Sequence, residues 1–272
     1  MGHKAALEFA EKSDTGLLRS QNEDSVAVSP AFGFAVLADG MGGYSAGEVA
    51  SSTATAVLKE SLEQGLATLP RQFAFRLHRA SLLRQLLVEA IHRANIAILD
   101  AARAEPAYAG MGTTLVVALF HRDTVTIAHV GDSRAYRFRH GELQQLTRDH
   151  SLLQEQIDAG LLTQEAARFS ENRNLVTRAV GIETEMEVEI HDHAIEPGDI
   201  YLLCSDGLSD MLEPEEISCL ITPCSSLPQV CEALVQKAND NGGRDNVSVV
   251  LIGIQAAGKR EGLFSRIRKW MG

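Results

Sequence analysis

Three short apolar runs stand almost end to end in the middle of the chain: Thr114 to Phe120, Val125 to Val130 and Ala135 to Arg139. Runs of this length, rich in small and branched apolar residues and bounded by turn formers, read as strands. Too few residues separate them for a helical crossover, so antiparallel hairpins are expected between them. Gly33 to Ala38, Ile200 to Cys204 and Val247 to Ile254 have the same strand character. Two long segments follow the first strand with a helical period instead. Val49, Ala50, Val57, Leu58 and Leu62 share one face of residues 46–66, and Leu83, Leu86, Leu87, Ala90, Ile91, Ala94 and Ile98 share one face of residues 79–104. The expected class is α+β, with mainly antiparallel sheets and helices packed outside them. Residues 151–175, polar and weakly patterned at their ends, read as a helical surface flap.

A chain of 272 residues with 45% hydrophobic content fits a single compact domain, without internal repeat or low-complexity linker. Its formal charge of −11, from 36 acidic against 25 basic residues, argues against nucleic acid as a partner, because phosphate backbones attract basic faces. Bound cations would neutralise part of the excess. Cys204, Cys219, Cys224 and Cys231 form no Cys-x-x-Cys pair, so neither a disulfide framework nor a structural zinc is expected. Met1 to Glu11 lacks an apolar run of signal-peptide length, and no stretch approaches the ~20 apolar residues of a membrane span, which makes the cytoplasm the expected location.

Four aspartates occupy turns beside the strand-like runs. Asp39 ends Phe34 to Ala38 and precedes Gly40; Asp206 follows Leu202 to Ser205 and precedes Gly207. Both carboxylates are expected just beyond the sheet, beside glycines that allow a close backbone approach. Asp132 lies in the link Val130 to Arg134, and Asp245 lies just before the last strand. One such aspartate is ordinarily a solvated turn residue; four together indicate a site. Carboxylates that converge repel one another unless cations or protons share their charge. With oxygen donors and no His or Cys among them, magnesium or manganese is the matching metal. Such ions polarise water toward hydroxide and stabilise a phosphoryl group under attack.

Rival chemistries lack their signatures. Ser133, Ser205 and Thr113 have no paired base in a recognisable motif and no Gly-x-Ser-x-Gly elbow. Asp39 is followed two residues later by Met41, which excludes an Asp-x-Asp nucleophile pattern. Gly40, Gly42 and Gly43 precede a helix without the Gly-Lys-Ser/Thr ending of a nucleotide phosphate loop. His129 and His150 are each isolated in the sequence, and an isolated His is more often a packed residue than a catalytic one.

The chain resembles the bacterial subgroup of the type 2C metal-dependent protein phosphatases from about Ser13 to Ile254. The matching stretches come in the family's order: Ser13 to Gly16 with Arg19 to Asp24, Ala38 to Gly43, Gly112 to Thr114, Val130 to Tyr136, Leu146 and Thr147 with Asp149 to Ser151, Leu175 with Thr177 to Gly181, Ser205 to Leu208, and Gly243 with Asp245 to Ser248. The resemblance implies a four-layer α/β/β/α sandwich of two antiparallel sheets flanked by helices. It implies hydrolysis of phosphoserine and phosphothreonine on proteins by metal-activated water, with Asp39, Asp206 and Arg19 as the catalytic residues. Asp39 would bridge two Mn2+ or Mg2+ ions, Gly40 would ligate the second through its carbonyl, and Asp206 with Asp245 would complete the first. Glu23 would hold the second ion through water, and Asp132 with Asp206 would form a third, weaker site. Arg19 would clamp the substrate phosphate with its planar fork of donors. Met41 replaces the His that many eukaryotic members carry after the Asp-Gly pair, so no general acid is assigned. A monomer acting on phosphorylated proteins and opposing a cognate Ser/Thr kinase is implied. A silent relative would not need the full ligand set, and a metabolite phosphatase would be told apart by comparing rates on phosphopeptides and metabolites.

Residues 1–257 are expected to form the phosphatase domain and 258–272 a separate tail. The tail carries Lys259, Arg260, Arg266, Arg268 and Lys269 against Glu261, with Leu263, Phe264, Ile267, Trp270 and Met271 at helical spacing. A basic amphipathic helix of this kind is expected to pack on the acidic body, or to dock on an anionic membrane or a partner.

Overall fold

The longest alternating and apolar segments pair into two sheets that face each other. The computed structural model describes residues 6–43, 45–69, 76–163, 166, 175–222 and 226–255. The strands are β1 (Ala6–Asp14), β2 (Asp24–Ser29), β3 (Phe34–Met41), β4 (Gly112–Thr113), β5 (Leu115–His121), β6 (Thr124–Val130), β7 (Arg134–Arg139), β8 (Glu142–Gln145), β9 (Glu189–Ala194), β10 (Ile200–Cys204) and β11 (Val247–Gln255). One sheet has the order β1-β11-β10-β7-β8 and the other β2-β3-β5-β6-β9, with β4 added on β3. Every strand pair within them is antiparallel.

Alternation along the strands sorts the apolar side chains into layers. Ala35, Leu37, Val116, Ala118, Ile127, Tyr201, Leu203 and Val250 fill the space between the sheets. Phe34, Val36, Val117 and Leu119 point the other way, onto α1 (Ala46–Thr68) and α2 (Arg76–Ala104), whose Leu58, Leu62, Leu87 and Ile91 are fully buried. On the far side Leu202, Cys204, Val249 and Leu251 meet Ile217 of α5 (Pro214–Ile221) and Leu234 of α6 (Leu227–Asp240). Short α3 (Leu152–Asp158) and α4 (Asp206–Ser209) and a 3-10 turn at Pro106–Tyr108 are the other named helices. The layers are therefore α/β/β/α, as the resemblance implies. Among the described residues no helix is long and apolar enough to cross a membrane.

Three local expectations are corrected. The link from β6 to β7 is no hairpin: β6 and β7 lie in different sheets, so Gly131 to Ser133 step from one sheet to the other and carry Asp132 with them. Asp39 does not stand beyond its sheet, because β3 continues through it to Met41, where β4 supplies the ladder partners of Gly40 and Met41. Asp206 opens the first turn of α4 rather than a simple turn. Of the flap, residues 152–158 are helical as expected, and part of the remainder lies outside the described residues. The tail, residues 258–272, lies outside them altogether.

Candidate active site

The antiparallel register of β2 and β3 sets Asp24 directly opposite Asp39. Paired residues in a ladder share a face, so these two carboxylates stand side by side. Asp39 is held firmly by its backbone. Its N–H donates to Thr114 Oγ1 at 3.1 Å, and its carbonyl accepts from the Thr114 N–H and the Thr113 hydroxyl, both at 2.8 Å. Thr114 Oγ1 also lies 2.7 Å from Ser133 Oγ, next to Asp132. Gly131 makes that turn with φ +103°, and a Cβ there would press against Thr114.

The β10 and β11 ends supply the remaining groups. Ser205 donates its hydroxyl to Asp24 Oδ2 at 2.8 Å immediately before Asp206. Asn246, buried, gathers the opposite wall: its Nδ2 donates to the Thr15 and Gln21 carbonyls and its Oδ1 accepts the Glu23 N–H at 2.7 Å. Glu23 is thereby carried against Gly47 in the first turn of α1, where a Cβ would meet its carboxylate. Arg19 Nη2 donates to Asp245 Oδ2 at 2.7 Å, and the Asn246 N–H occupies Asp245 Oδ1 at 2.9 Å.

The electrostatics follow from this crowding. Asp39 is pushed well above the usual carboxylate range by burial, then by Asp24, Asp206, Asp132 and Asp245. Asp206 is raised likewise by burial, then by Asp132, Asp210, Asp245 and Asp24. Burial leads in raising Asp24 to about 6, against hydrogen bonds from Ser248 and Ser205, and in raising Asp132 to about 6, with Asp149 adding to it. Glu23 is raised, chiefly by burial. The predicted ligands thus share one neighbourhood, and Asp24 and Asp210 join it without having been singled out from sequence. Asp24 was hidden because its place opposite Asp39 is a matter of register.

The residues fit hard divalent cations. All the side-chain donors are oxygens, the carboxylates destabilise one another without counter-charge, and Asp24 Oδ1 is buried with no hydrogen-bond partner. A different group, His129, His150 and Glu189, brings three potential ligand atoms within 4.8 Å of one another. Its geometry suits no shared metal. The two imidazoles stack at 4.7 Å and 19°, so one ion cannot lie in both ring planes, and three of their nitrogens already face Arg148 O, Gly131 N and Glu189 Oε2.

Gly207 shows how tightly the site is built. A Cβ on it would overlap the Asn246 carbonyl oxygen, which is backbone and cannot swing away. Gly207→Ala is expected to lower the melting temperature by roughly 10 °C, from an overpacking cost of about 3 kcal/mol. An unchanged transition by calorimetry would show that the Asp206 and Asn246 segments are not locked together.

Partly buried carboxylates crowded together with oxygen donors alone are a setting suited to hard divalent cations. The protein-family model described as Protein phosphatase 2C matches residues 19–251. The serine/threonine phosphatase stp of Listeria welshimeri is 35% identical over 247 residues, covering 89% of this chain and 93% of that protein. The serine/threonine protein phosphatase PstP of Mycobacterium tuberculosis is 39% identical over 251 residues, 90% of this chain and 44% of the relative. The crystal structure of the PstP catalytic domain, described as a complex with 2 manganese ions, superposes with a TM-score of 0.80 at 36% identity, covering 93% of this chain and 100% of that one. The chain belongs to the bacterial protein phosphatase 2C family and is a metal-dependent serine/threonine protein phosphatase.

Proposed function

We propose that Asp39 bridges two Mn2+ or Mg2+ ions, that Asp206 and Asp245 complete the first site, and that the Gly40 carbonyl and, through water, Glu23 serve the second. Asp132 and Asp206 form a third, weaker site. The observation that carries this reading is the crowding at Asp39, a half-buried carboxylate set opposite Asp24 in the β2–β3 ladder and raised further by Asp206, Asp132 and Asp245. Manganese in the PstP catalytic domain supports the choice of metal. When bound, such cations polarise an attacking water and neutralise charge on the phosphoryl group.

The chain's own groups do the rest. Thr113 and Thr114 fix the Asp39 backbone, Asn246 fixes the Glu23 and Asp245 segments, and the Ser133–Thr114 contact ties Asp132 to Asp39. Arg19, half-exposed and already at the rim of the cluster, turns its planar guanidinium to the substrate phosphate. Met41 offers no proton, and the His129 and His150 nitrogens are engaged with Arg148, Gly131 and Glu189, so no side chain is assigned to protonate the leaving alkoxide. The catalytic unit is residues 1–257, a monomer acting in the cytoplasm on proteins phosphorylated by a cognate bacterial Ser/Thr kinase. Residues 258–272 serve as a basic tail that packs on the acidic body or contacts a membrane or partner.

Turnover of a phosphothreonine peptide tests the reading. Hydrolysis is expected with Mn2+ or Mg2+, absent in excess chelator and recovered on adding metal back. Undiminished turnover in chelator would overturn the metal assignment. Faster turnover of small phosphorylated metabolites would overturn the protein-substrate assignment.

A further inference from the structure

We infer that Glu189 and His150 form a positioning pair that clamps the turn carrying Asp132 and fastens the base of the 151–175 excursion to it. The inference rests on the reading of Asp132 as a metal ligand. His150 grips Gly131 at two points. Its backbone N–H donates to the Gly131 carbonyl at 3.0 Å, and its ring Nδ1 accepts the Gly131 N–H at 3.2 Å. A ring nitrogen that accepts carries no proton, so in the neutral imidazole the proton sits on Nε2. Glu189 Oε2 lies 3.2 Å from that Nε2 and accepts from it, which fixes the tautomer that Gly131 requires. Loss of the carboxylate lets the ring take the other tautomer, which would set two N–H donors against each other at Gly131.

The surroundings hold this pair still. The His150 ring is 7% exposed and stacks on His129, whose Nε2 donates to the Arg148 carbonyl at 2.8 Å. Glu189 lies opposite His129 in the β6–β9 ladder and also accepts from His191 at 2.8 Å. Asp149, next to His150, takes Arg134 in a bidentate pair with contacts of 2.6 to 3.0 Å. The sheet-crossing residues 131–134 are therefore tied on both sides of Asp132 to residues 149 and 150. On the other flank the His150 carbonyl accepts the Thr177 N–H at 2.8 Å and the Leu152 N–H donates to Leu175 at 2.9 Å, closing the stem of the excursion. One residue, His150, thus bonds both that stem and the Gly131 turn beside Asp132.

The test uses the full chain and four variants: His150→Ala, His150→Asn, His150→Gln and Glu189→Ala. Asn places an acceptor where Nδ1 stood, whereas Gln reaches only the Nε2 position. His150→Ala is expected to raise the Mn2+ concentration for half-maximal phosphopeptide turnover about tenfold, the worth of one buried hydrogen bond. In the metal-free protein its Gly131 amide, followed by NMR, should exchange about tenfold faster. His150→Asn should bring both values to within about threefold of the parent, His150→Gln should not, and Glu189→Ala should move both in the same direction. The inference is overturned if His150→Ala moves neither value, or if Asn and Gln rescue equally, which would mean the ring only fills space. Should His150→Ala fail to fold, the Asn–Gln contrast and Glu189→Ala still decide. A parent protein without Mn2+-dependent turnover would sink the functional reading alone, while the Gly131 amide would still report on the clamp.

Discussion

Asp39→Ala is expected to lower kcat on a phosphothreonine peptide by on the order of 10³-fold or more, and Asp206→Ala similarly, because each removes charge stabilisation at the reacting phosphoryl group. The loss should come without instability. Burial and repulsion from Asp24, Asp206, Asp132 and Asp245 make Asp39 costly to keep ionised, so in chelator the variant should melt no lower than the parent. Arg19→Ala should separate from both, raising KM while leaving kcat within a few-fold, since it touches only the bound phosphate. Asp132→Ala should reduce kcat with the two core ions still bound by calorimetric titration. Near-native turnover by Asp39→Ala would remove it from the bridging position.

The parts legible in the sequence were those where one signal dominated. Phe34 to Ala38, Leu115 to Phe120 and Val247 to Ile254 lie buried along their whole length, so their apolar runs were unambiguous. β1, β2, β8 and β9 were not singled out because they are sheet edges whose pairing comes from a neighbour. β9, Glu189 to Ala194, has little intrinsic strand preference, and its register is dictated by β6. α5 and α6 were also passed over, although Pro214 and Pro228 mark first helical turns. At the site, Asp39, Asp132, Asp206 and Asp245 stood out through the glycines near them, although Asp39 lies within β3 and Asp206 opens α4 rather than a turn. Asp24 and Asn246 were not, because a residue's value as a cross-strand neighbour or as a hub between loops exists only once Thr15, Gln21, Glu23 and Asp39 have been brought together.

Melting temperature should depend on divalent metal far more at pH 7.5 than at pH 5, and the sign follows from the raised carboxyls. A carboxyl whose folded value is raised binds its proton more tightly folded than unfolded, so its stabilisation is complete below the unfolded value and lost as pH rises through the folded one. For Asp24 and Asp132 that window runs from 3.8 to about 6, a difference worth roughly 3 kcal/mol for one such group taken alone. Asp39 and Asp206 extend the loss to higher pH. Without metal the protein should therefore weaken as pH rises from 5 to 7.5, whereas bound cations favour the ionised forms and offset the repulsion. Other groups act in the opposite direction. Asp199, depressed by Arg139 against the effect of its burial, and His129, His150 and His193, lowered mainly by burial, all cost stability as pH falls. They are at work with and without metal, so subtracting the chelator curve from the Mn2+ curve removes them. The metal-induced increase should be larger at pH 7.5 than at pH 5 by about 5 °C or more, given 2–4 °C per kcal/mol for a domain of this size. A metal effect equal at both pH values, or larger at pH 5, would mean that the aspartates are not the groups that hold the ions.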